Sequence, residues 1–178
     1  MTPSSVIIRP AVRTDVESLG ELGELMVVTH FAFDAKRFIA PSPQTAQRYG
    51  EFLVSQLART DVVLIVAEKD GAVIGYVYAG LEGFDYMALR GPAGALYDIV
   101  VDPAHRAAGV GHQLLDAALT WLASRGAPRV VLSTAEQNEP AQRLFARAGF
   151  RPTMIEMTLE LGDEDAGDQK RSTNRSKR

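Results

Sequence analysis

The sequence contains no cysteine. This absence excludes disulfide bonds, thiolate metal sites and a cysteine nucleophile. Histidine is also scarce: His30, His105 and His112 are too far apart, or too close to a turn, to form the His-x-x-x-His pair with which a helix binds zinc. We therefore expect chemistry that uses neither a metal cluster nor an intermediate bound to a protein thiol.

Long hydrophobic runs and an excess of positive charge are missing as well. No apolar run approaches the roughly 20 residues that span a bilayer, and residues 1–10 lack the charged and apolar regions of a signal peptide. We therefore expect a cytoplasmic protein.

The net charge of the chain is −3, and residues 162–178 hold four acidic and five basic side chains, which leaves −4 for residues 1–161. Nucleic-acid binding by that part is not expected, because it requires a basic face.

The 178 residues, of which 46% are hydrophobic and 23% charged, suit one globular domain. We expect this domain to cover residues 1–161, and residues 162–178 to form a disordered charged tail, because that stretch has almost nothing to bury. Contact between the basic end of the tail and nucleic acid or a ribosome is an alternative. It predicts salt-sensitive binding that is lost on truncation at Leu161.

Hydrophobic periodicity predicts the element order β-α-α-β-β-β-α-β-α-β. Thr14 and Glu17 have the spacing of a capping box, which predicts a helix that continues to about Val28. Ser42 and Pro43 predict the start of a second helix, which ends near Arg59.

Asp-Gly between the β-rich runs 62–68 and 72–81 predicts a hairpin. Residues 96–135 read as a β-α-β unit, Asn138 as the cap of a short helix, and residues 149–161 as the last strand. The pattern predicts a mixed α/β architecture. Its sheet is mostly antiparallel with at least one parallel pair, and helices cover both faces.

Two glycines one residue apart, Gly109 and Gly111, stand between a predicted strand and a predicted helix in the stretch RAAGVGH. Glycine lets the backbone approach an anion, and a helix N-terminus offers unpaired N–H groups and a positive dipole end. The third glycine of a dinucleotide fingerprint is replaced by Leu114, and no Gly-Lys-Ser/Thr of a P-loop follows. These residues alone are compatible with two interpretations: a tight connection between strand and helix, or a turn that binds phosphate.

Two motifs together resemble the GNAT superfamily of acyl-CoA-dependent N-acyltransferases. The first is IVVDPAHRAAGVGHQLL, and the second is Asn138 followed by the pattern x-x-A-x-x-L-F-x-x-x-G-F. They stand in the family order, and the specific match covers about residues 95–152. The resemblance implies the GNAT fold, with a central sheet of about six to seven strands. Family members often dimerise, so a homodimer is a further expectation.

The resemblance also implies that acetyl-CoA is the co-substrate. The backbone edges of Ile99 and Val101 would pair with pantetheine, and the N–H of Val100 or Val101 would stabilise the developing oxyanion. Asn138 would lie near the cysteamine part, a role compatible with helix capping, and Arg106 would contact phosphate. Backbone amides of the turn would hold the pyrophosphate, namely those of Ala107, Ala108, Gly109, Val110, Gly111 and His112.

The usual proton-transfer residues of this family are absent. The tyrosine found in many members seven residues after the asparagine is Phe145 here, and the glutamate found in some five residues before it is Ser133. We expect Phe145 to pack in the core. Tyr97 and Asp98 are the substitutes available on the strand that leads to the turn. Neighbouring strand residues face opposite sides, so we expect only one to reach the cleft, and we prefer Tyr97 as the base.

The function that these residues imply is acetyl transfer from acetyl-CoA to a primary amine, by direct attack in a ternary complex. Two bound substrates then react at a high effective concentration. An alternative of a different class, motivated by Phe145 and Ser133, is an acyl-CoA-binding sensor without turnover. We expect the acceptor pocket to form from the first two helices, the 82–94 loop and the last strand. Phe84, Tyr86 and Met87 in the loop suggest an amine with an apolar part.

Overall fold

The structure is a computed structural model that describes residues 5–161; the expected tail at 162–178 lies outside the described residues. The strands are β1 (Ile7–Pro10), β2 (Val62–Lys69), β3 (Ala72–Glu82), β4 (Ala93–Val101) and β5 (Val130–Leu132). The helices are α1 (Val16–Phe33), α2 (Thr45–Gln56), α3 (Val110–Ser124) and α4 (Glu139–Arg147).

The described strands form one sheet in the order β1-β2-β3-β4-β5. The first three pairings are antiparallel and the β4–β5 pairing is parallel. The predicted hairpin between β2 and β3 is confirmed: Asp70 and Gly71 have φ values of 53° and 80°. Two successive residues with positive φ are the signature of a tight hairpin turn, which an Asp-Gly pair accommodates.

Helices cover both faces of this sheet, as predicted. On one face, α1 and α2 pack through Leu19 and Leu53 against Tyr76 of β3. On the other face, α3 and α4 pack through Leu114 and Phe145 in the core cluster that also includes β3 side chains. Successive residues of a strand point to opposite faces, so the uninterrupted apolar run of β3 serves both cores.

The helix starts differ from the sequence prediction. At the start of α1, the carboxylate of Asp15 accepts a hydrogen bond from the N–H of Val12 at 2.8 Å and pairs with Arg9 at 2.9 Å. The predicted capping by Thr14 and Glu17 is therefore wrong, because a 3₁₀ turn at Arg13–Asp15 shifts the cap by one residue. The helix also continues past Val28 to Phe33. Helix α2 begins at Thr45, two residues after Pro43.

The predicted last strand is wrong for the described structure. Residues 151–161 form no strand, and the sheet has five described strands rather than six or seven. A strand exists only where another strand offers hydrogen bonds, and within the described chain this segment has no pairing. β5 is also shorter than the predicted run, because its pairing with β4 ends at Leu132.

Glycines allow α1 and α2 to cross closely. A methyl group at Gly20 would overlap the carbonyl oxygen of Ala46, and one at Gly50 would overlap the carbonyl oxygen of Val16. Both clashes involve backbone atoms, which cannot move without separating the helices. This crossing positions the α2 side chains that face β4.

We expect Gly20→Ala and Gly50→Ala each to lower the free energy of unfolding by about 1–2 kcal/mol. A clash with backbone atoms takes the upper part of the overpacking cost of about 1–3 kcal/mol, and the gain in helix propensity returns about 1 kcal/mol. Urea denaturation measures the change. Gly83→Ala is the control, because a methyl group there meets nothing within 4 Å, and its effect should stay within about 0.5 kcal/mol. Equal stability of all three variants would contradict the close crossing.

Candidate active site

β4 and β5 pair only over a short distance and then separate. Their register joins Gly94 to Val130 and ends where Leu96 meets Leu132, whereas β4 continues to Val101. From Tyr97 onward, β4 therefore has an edge that β5 does not cover. The resulting groove is lined by β4, by the residues after β5 and by the start of α4.

A β-bulge lies at the point of separation. Tyr78 of β3 pairs with Asp98, whereas the next residue, Ala79, pairs with Leu96, so Tyr97 is the extra residue on β4. A bulge interrupts the alternation of side chains along a strand. Tyr97 and Asp98 accordingly line the same cleft beside α2. The expectation that only one of them could reach a cleft is wrong, because it assumed a regular strand.

Asp98 lies at the centre of a buried hydrogen-bond network. The hydroxyl of Tyr49 donates to Asp98 Oδ2 at 2.8 Å, and that of Tyr76 donates to the same oxygen at 3.3 Å. Burial raises the pKa of the Asp98 carboxyl, and the two hydrogen bonds oppose this rise. The same burial, with the nearby Asp98 charge, raises the pKa of Tyr49 and Tyr76. These two tyrosines are therefore protonated donors that orient the carboxylate.

Tyr97 has a different environment from Tyr49 and Tyr76. Its side chain is 40% exposed, and its ring lies 4.9 Å from that of Tyr78. Burial, together with the neighbouring Glu82, raises the pKa of Tyr97 to about 12. At neutral pH the Tyr97 side chain is therefore a phenol that can donate a proton.

An aromatic cleft of about 260 Å³ adjoins the two residues on the α2 side. Its lining is Tyr49, Phe52, Arg59, Tyr78, Tyr97 and Asp98. The sequence prediction missed the first four. A tyrosine and a phenylalanine in α2 and a tyrosine in β3 are indistinguishable from core residues until the elements are packed.

The three residues of the 82–94 loop that were expected to form the pocket lie elsewhere. Phe84, Tyr86 and Met87 are strongly exposed and do not line the cleft. Their loop is closed by paired backbone hydrogen bonds between Asp85 and Arg90, both 2.8 Å. This small turn directs the three side chains to solvent.

The glycine turn leads into α3 with the geometry of an anion-binding N-terminus. Gly109 has a φ of 81°, in the left-handed region, and a methyl group there would meet nothing within 4 Å. The first i→i−4 hydrogen bond of α3 joins the N–H of Gln113 to the carbonyl of Gly109. The N–H groups of Val110, Gly111 and His112 come before this bond and have no acceptor within the helix, so they point out of its N-terminus. Ala107 also has a positive φ, 64°, and with Ala108 it forms the exposed part of the turn.

Two contacts fix the turn against the end of β4. Arg106 Nε donates to the carbonyl of Val101 at 3.0 Å. Gly111 lies beside both elements: a methyl group there would meet Leu144 of α4 at 3.5 Å and Val101 of β4 at 3.9 Å, which are ordinary packing distances. The turn therefore lies next to the uncovered part of β4, which contains Ile99 and Val100.

Asn138 and Ser133 line the groove on the side opposite β4. The Asn138 side chain also caps α4, because its Oδ1 accepts the N–H of Ala141 at 3.3 Å. Phe145 is only 7% exposed and packs edge-on against Phe150, with ring centroids 5.8 Å apart. Phe145 is therefore a core residue, as predicted.

Neither a metal centre nor a membrane span is found in the part of the chain that the structure describes. Between residues 5 and 161, no three His, Asp or Glu side chains are grouped so that they could hold a metal ion. Over the same range, no helix combines the length and apolar character needed to cross a bilayer.

The two buried carboxylates should affect stability with opposite dependence on pH. The pKa of Asp98 is raised by burial, so its contribution to stability is complete below its unfolded pKa, near 3.8, and is lost as the pH rises through the native pKa. The hydrogen bond from Arg9 lowers the pKa of Asp15, so its contribution is lost as the pH falls through the native pKa.

We therefore expect the free energy of unfolding of Asp98→Asn to increase relative to that of wild type as the pH rises. The free energy of unfolding of Asp15→Asn should increase relative to that of wild type as the pH falls. Urea denaturation across a pH series measures both differences, and each variant serves as the control for the other. If both stability differences changed with pH in the same direction, the environment assigned to Asp98 or to Asp15 would be wrong.

The family profile described as the acetyltransferase (GNAT) family matches residues 29–150. A mycothiol acetyltransferase from Thermobispora bispora is 39% identical over 89 residues, which cover 48% of this chain and 28% of that protein. The chain therefore matches less than a third of the length of this relative.

Two solved structures share the fold. A mutant of the BH1408 protein from Bacillus halodurans has a TM-score of 0.75 at 18% identity, with 87% of this chain and 99% of that chain covered. A predicted acetyltransferase from Clostridium acetobutylicum, solved with acetyl-CoA, has a TM-score of 0.67 at 18% identity, with 88% and 97% covered. The likeness extends over most of the chain, and the family profile covers more than half of the sequence. The chain belongs to the acetyltransferase (GNAT) family.

Proposed function

We propose that this protein transfers an acetyl group from acetyl-CoA to a primary amine, by direct attack within a ternary complex. One observation carries the proposal: Tyr97 and Asp98 line both the groove between β4 and β5 and the aromatic cleft beside α2. A thioester in the groove and an amine in the cleft would meet at these two side chains. The lack of cysteine supports direct transfer, because no thiol on the protein can carry the acetyl group.

The groove and the glycine turn fit CoA chemically. The open backbone at Gly109 and the amides at the start of α3 suit the pyrophosphate, for which residues 107–112 supply the donors. Arg106 adds positive charge beside them. The edge of β4 at Ile99 and Val101 suits the amide groups of pantetheine, which can hydrogen-bond like an added strand. Asn138 faces this path from the other side of the groove.

We expect His112→Asp to weaken CoA binding at least tenfold, and His112 is exposed at the start of α3. Aspartate in the first turn of a helix favours the helix dipole, so α3 should remain folded. Its carboxylate would nevertheless repel the pyrophosphate at the amides proposed to bind it. Isothermal titration with CoA measures the affinity. Thr120→Asp adds the same charge to the exposed face of α3, away from the turn, and should bind CoA like wild type. Equal affinity of both variants would contradict the proposed pyrophosphate site.

The reaction needs a base for the ammonium group, an oxyanion donor and an acid for the departing thiolate. Asp98 suits the base, because a carboxylate with a raised pKa accepts a proton more readily than an ordinary one. Tyr97 suits the acid, because a phenol with a pKa of about 12 is protonated at neutral pH. This reverses the preference drawn from the sequence, in which Tyr97 was the base. The N–H of Val100 or Val101 would stabilise the oxyanion.

The cleft supports an acceptor that combines a cation with an apolar part. Tyr49, Phe52, Tyr78 and Tyr97 offer ring faces and edges to an apolar group, and also attract a cation through their π-systems. The Asp98 carboxylate is the charged group that an ammonium would approach. Tyr49, which donates to Asp98, would act as a positioning residue.

We expect Asp98→Asn and Tyr97→Phe each to lower kcat by about 10²–10⁴-fold, the usual contribution of a general acid or base. Asp98→Asn should also abolish the rise of kcat/KM with pH that follows deprotonation of the carboxyl. CoA affinity should stay unchanged in both variants. Tyr86→Phe is the matched control, because Tyr86 is exposed on the β3–β4 loop. If neither variant alters the pH–rate profile, the assignment of these two residues is wrong.

The function itself is tested by incubating the protein with acetyl-CoA and a panel of primary amines, with and without aromatic groups, while free thiol is detected. We expect CoA release that depends on the amine, with acetylated product identified by mass spectrometry. Tight binding of acetyl-CoA with no CoA release from any amine would overturn the proposal.

A further inference from the structure

The groove between β4 and β5 connects the two helical layers of the fold. Its lining includes Phe145 of α4 on one face of the sheet, and Met26 and His30 of α1 on the opposite face. Tyr97 and Asp98 line the same groove. A thioester that enters from the α4 side would therefore meet His30 at the α1 end, beside the two residues proposed as acid and base.

His30 is held in one tautomer. Its Nδ1 lies 2.8 Å from the carbonyl oxygen of Met26, four residues earlier in α1. A carbonyl oxygen only accepts hydrogen bonds, so Nδ1 carries a proton and donates it. In the neutral ring, Nε2 is then the unprotonated nitrogen, with a lone pair. A neutral imidazole in this tautomer accepts a proton at Nε2 without first exchanging the one on Nδ1.

Two phenylalanines hold the plane of the His30 ring. Phe33 and Phe38 contact it edge-on, with ring centroids 5.7 Å and 5.0 Å away. The side chain is only half-buried. A positive charge on His30 also lowers the pKa of Asp98. The imidazole is therefore fixed in orientation and lies close enough to the carboxylate for the two charges to interact.

Acetyl transfer to an ammonium group involves one proton that Asp98 and Tyr97 do not accept. Asp98 takes the first proton from the ammonium and is then a neutral acid. The nitrogen still carries a surplus proton after it has attacked the carbonyl carbon. Tyr97, as the acid, is protonated at that stage and has nothing to accept with. A second base at the groove would remove this proton as the intermediate collapses.

We infer that His30 is this second catalytic base, and that its Nε2 takes the surplus proton from the nitrogen of the tetrahedral intermediate. The inference rests on the proposed acetyl transfer. The N–H bond breaks as Nε2–H forms, the carbonyl forms again, and the C–S bond breaks with its electron pair moving to sulfur, which takes the proton of Tyr97.

The remaining proton transfers restore the site. The Tyr97 phenolate, with a pKa of about 12, is a stronger base than an imidazole, so it takes the proton from the His30 imidazolium. Asp98 releases its proton to water. One amine proton has then reached sulfur and the other has reached solvent, and all three side chains are ready for a new turnover.

Two substitutions separate proton transfer from packing. His30→Asn keeps an N–H at the position of Nδ1 for the Met26 carbonyl, but has no basic nitrogen. His30→Phe keeps the aromatic contacts with Phe33 and Phe38. Histidine, asparagine and phenylalanine have similar helix propensities, so α1 should remain folded in both. We expect each variant to lower kcat about 10²-fold, the lower end of the usual contribution of a general base, with unchanged affinity for CoA.

The matched control is Thr29→Val on the same helix. Thr29 Oγ1 donates to the carbonyl of Leu25 at 2.7 Å, so it also bonds to a carbonyl four residues earlier. The substitution removes this bond and no basic group. We expect Thr29→Val to keep the wild-type kcat.

NMR and the pH–rate profile provide readouts that packing does not move. With labelled imidazole nitrogens, the signal that His30→Asn lacks belongs to His30. At alkaline pH, where histidine is neutral, this signal should show the Nδ1–H tautomer. The kcat/KM of wild type should fall at the pH at which the His30 signal titrates in the free protein. His30→Asn should lack this fall and keep the one that belongs to Asp98. The other titratable or charged groups around His30 are Tyr97, Tyr49, Tyr76 and Arg37.

Three results would overturn the inference. They are an Nε2–H tautomer for His30, a wild-type kcat in His30→Phe, and the same loss of kcat in Thr29→Val as in His30→Asn. Turnover that persists in both His30 variants would remove the role of His30 and leave acetyl transfer intact. A wild-type protein that releases no CoA with any amine would instead overturn the proposed function, so the two failures are distinguishable.

Discussion

The parallel pairing of β4 with β5 and its early end control the geometry of the site. The strands share hydrogen bonds only as far as Leu96, and the bulge at Tyr97 follows immediately. The same irregularity therefore exposes a backbone edge towards the glycine turn and turns two polar side chains towards α2. A regular strand would have continued the pairing and would have directed Tyr97 and Asp98 to opposite faces.

The core supports this irregularity from both sides. On the α2 side, Tyr49 and Tyr76 satisfy the buried carboxylate of Asp98, which would otherwise be expensive to bury. The close crossing of α1 and α2 at Gly20 and Gly50 brings Tyr49 within reach. On the other side, the hydrogen bond from Arg106 to the carbonyl of Val101 holds the turn before α3 at the end of β4. Precise placement of the two polar residues thus depends on packing in elements far apart in sequence.

Much of the architecture was predictable because its signals are local. The Asp-Gly hairpin, the glycine that starts α3 and the Asn138 cap each depend on a few neighbouring residues, and the structure contains all three. The errors concern partners that are distant in sequence. Thr14 looked like the cap of α1, but it lies inside a 3₁₀ turn at Arg13–Asp15, in which Asp15 bonds back to the N–H of Val12 and to Arg9, so the helix starts at Val16. The aromatic cleft was missed for the same reason, since no local pattern brings Phe52 of α2 next to Tyr78 of β3.

The sequence by itself determined the family, the order of the elements as far as α4 and the turn that precedes α3, because these depend on short motifs and on hydrophobic periodicity. It also determined that none of the 178 residues is a cysteine. Only the tertiary structure decided that Tyr97 and Asp98 share one cleft and that residues 151–161 remain outside the sheet. Bulges and strand pairing depend on the register between separate segments, and a single strand does not encode its partner.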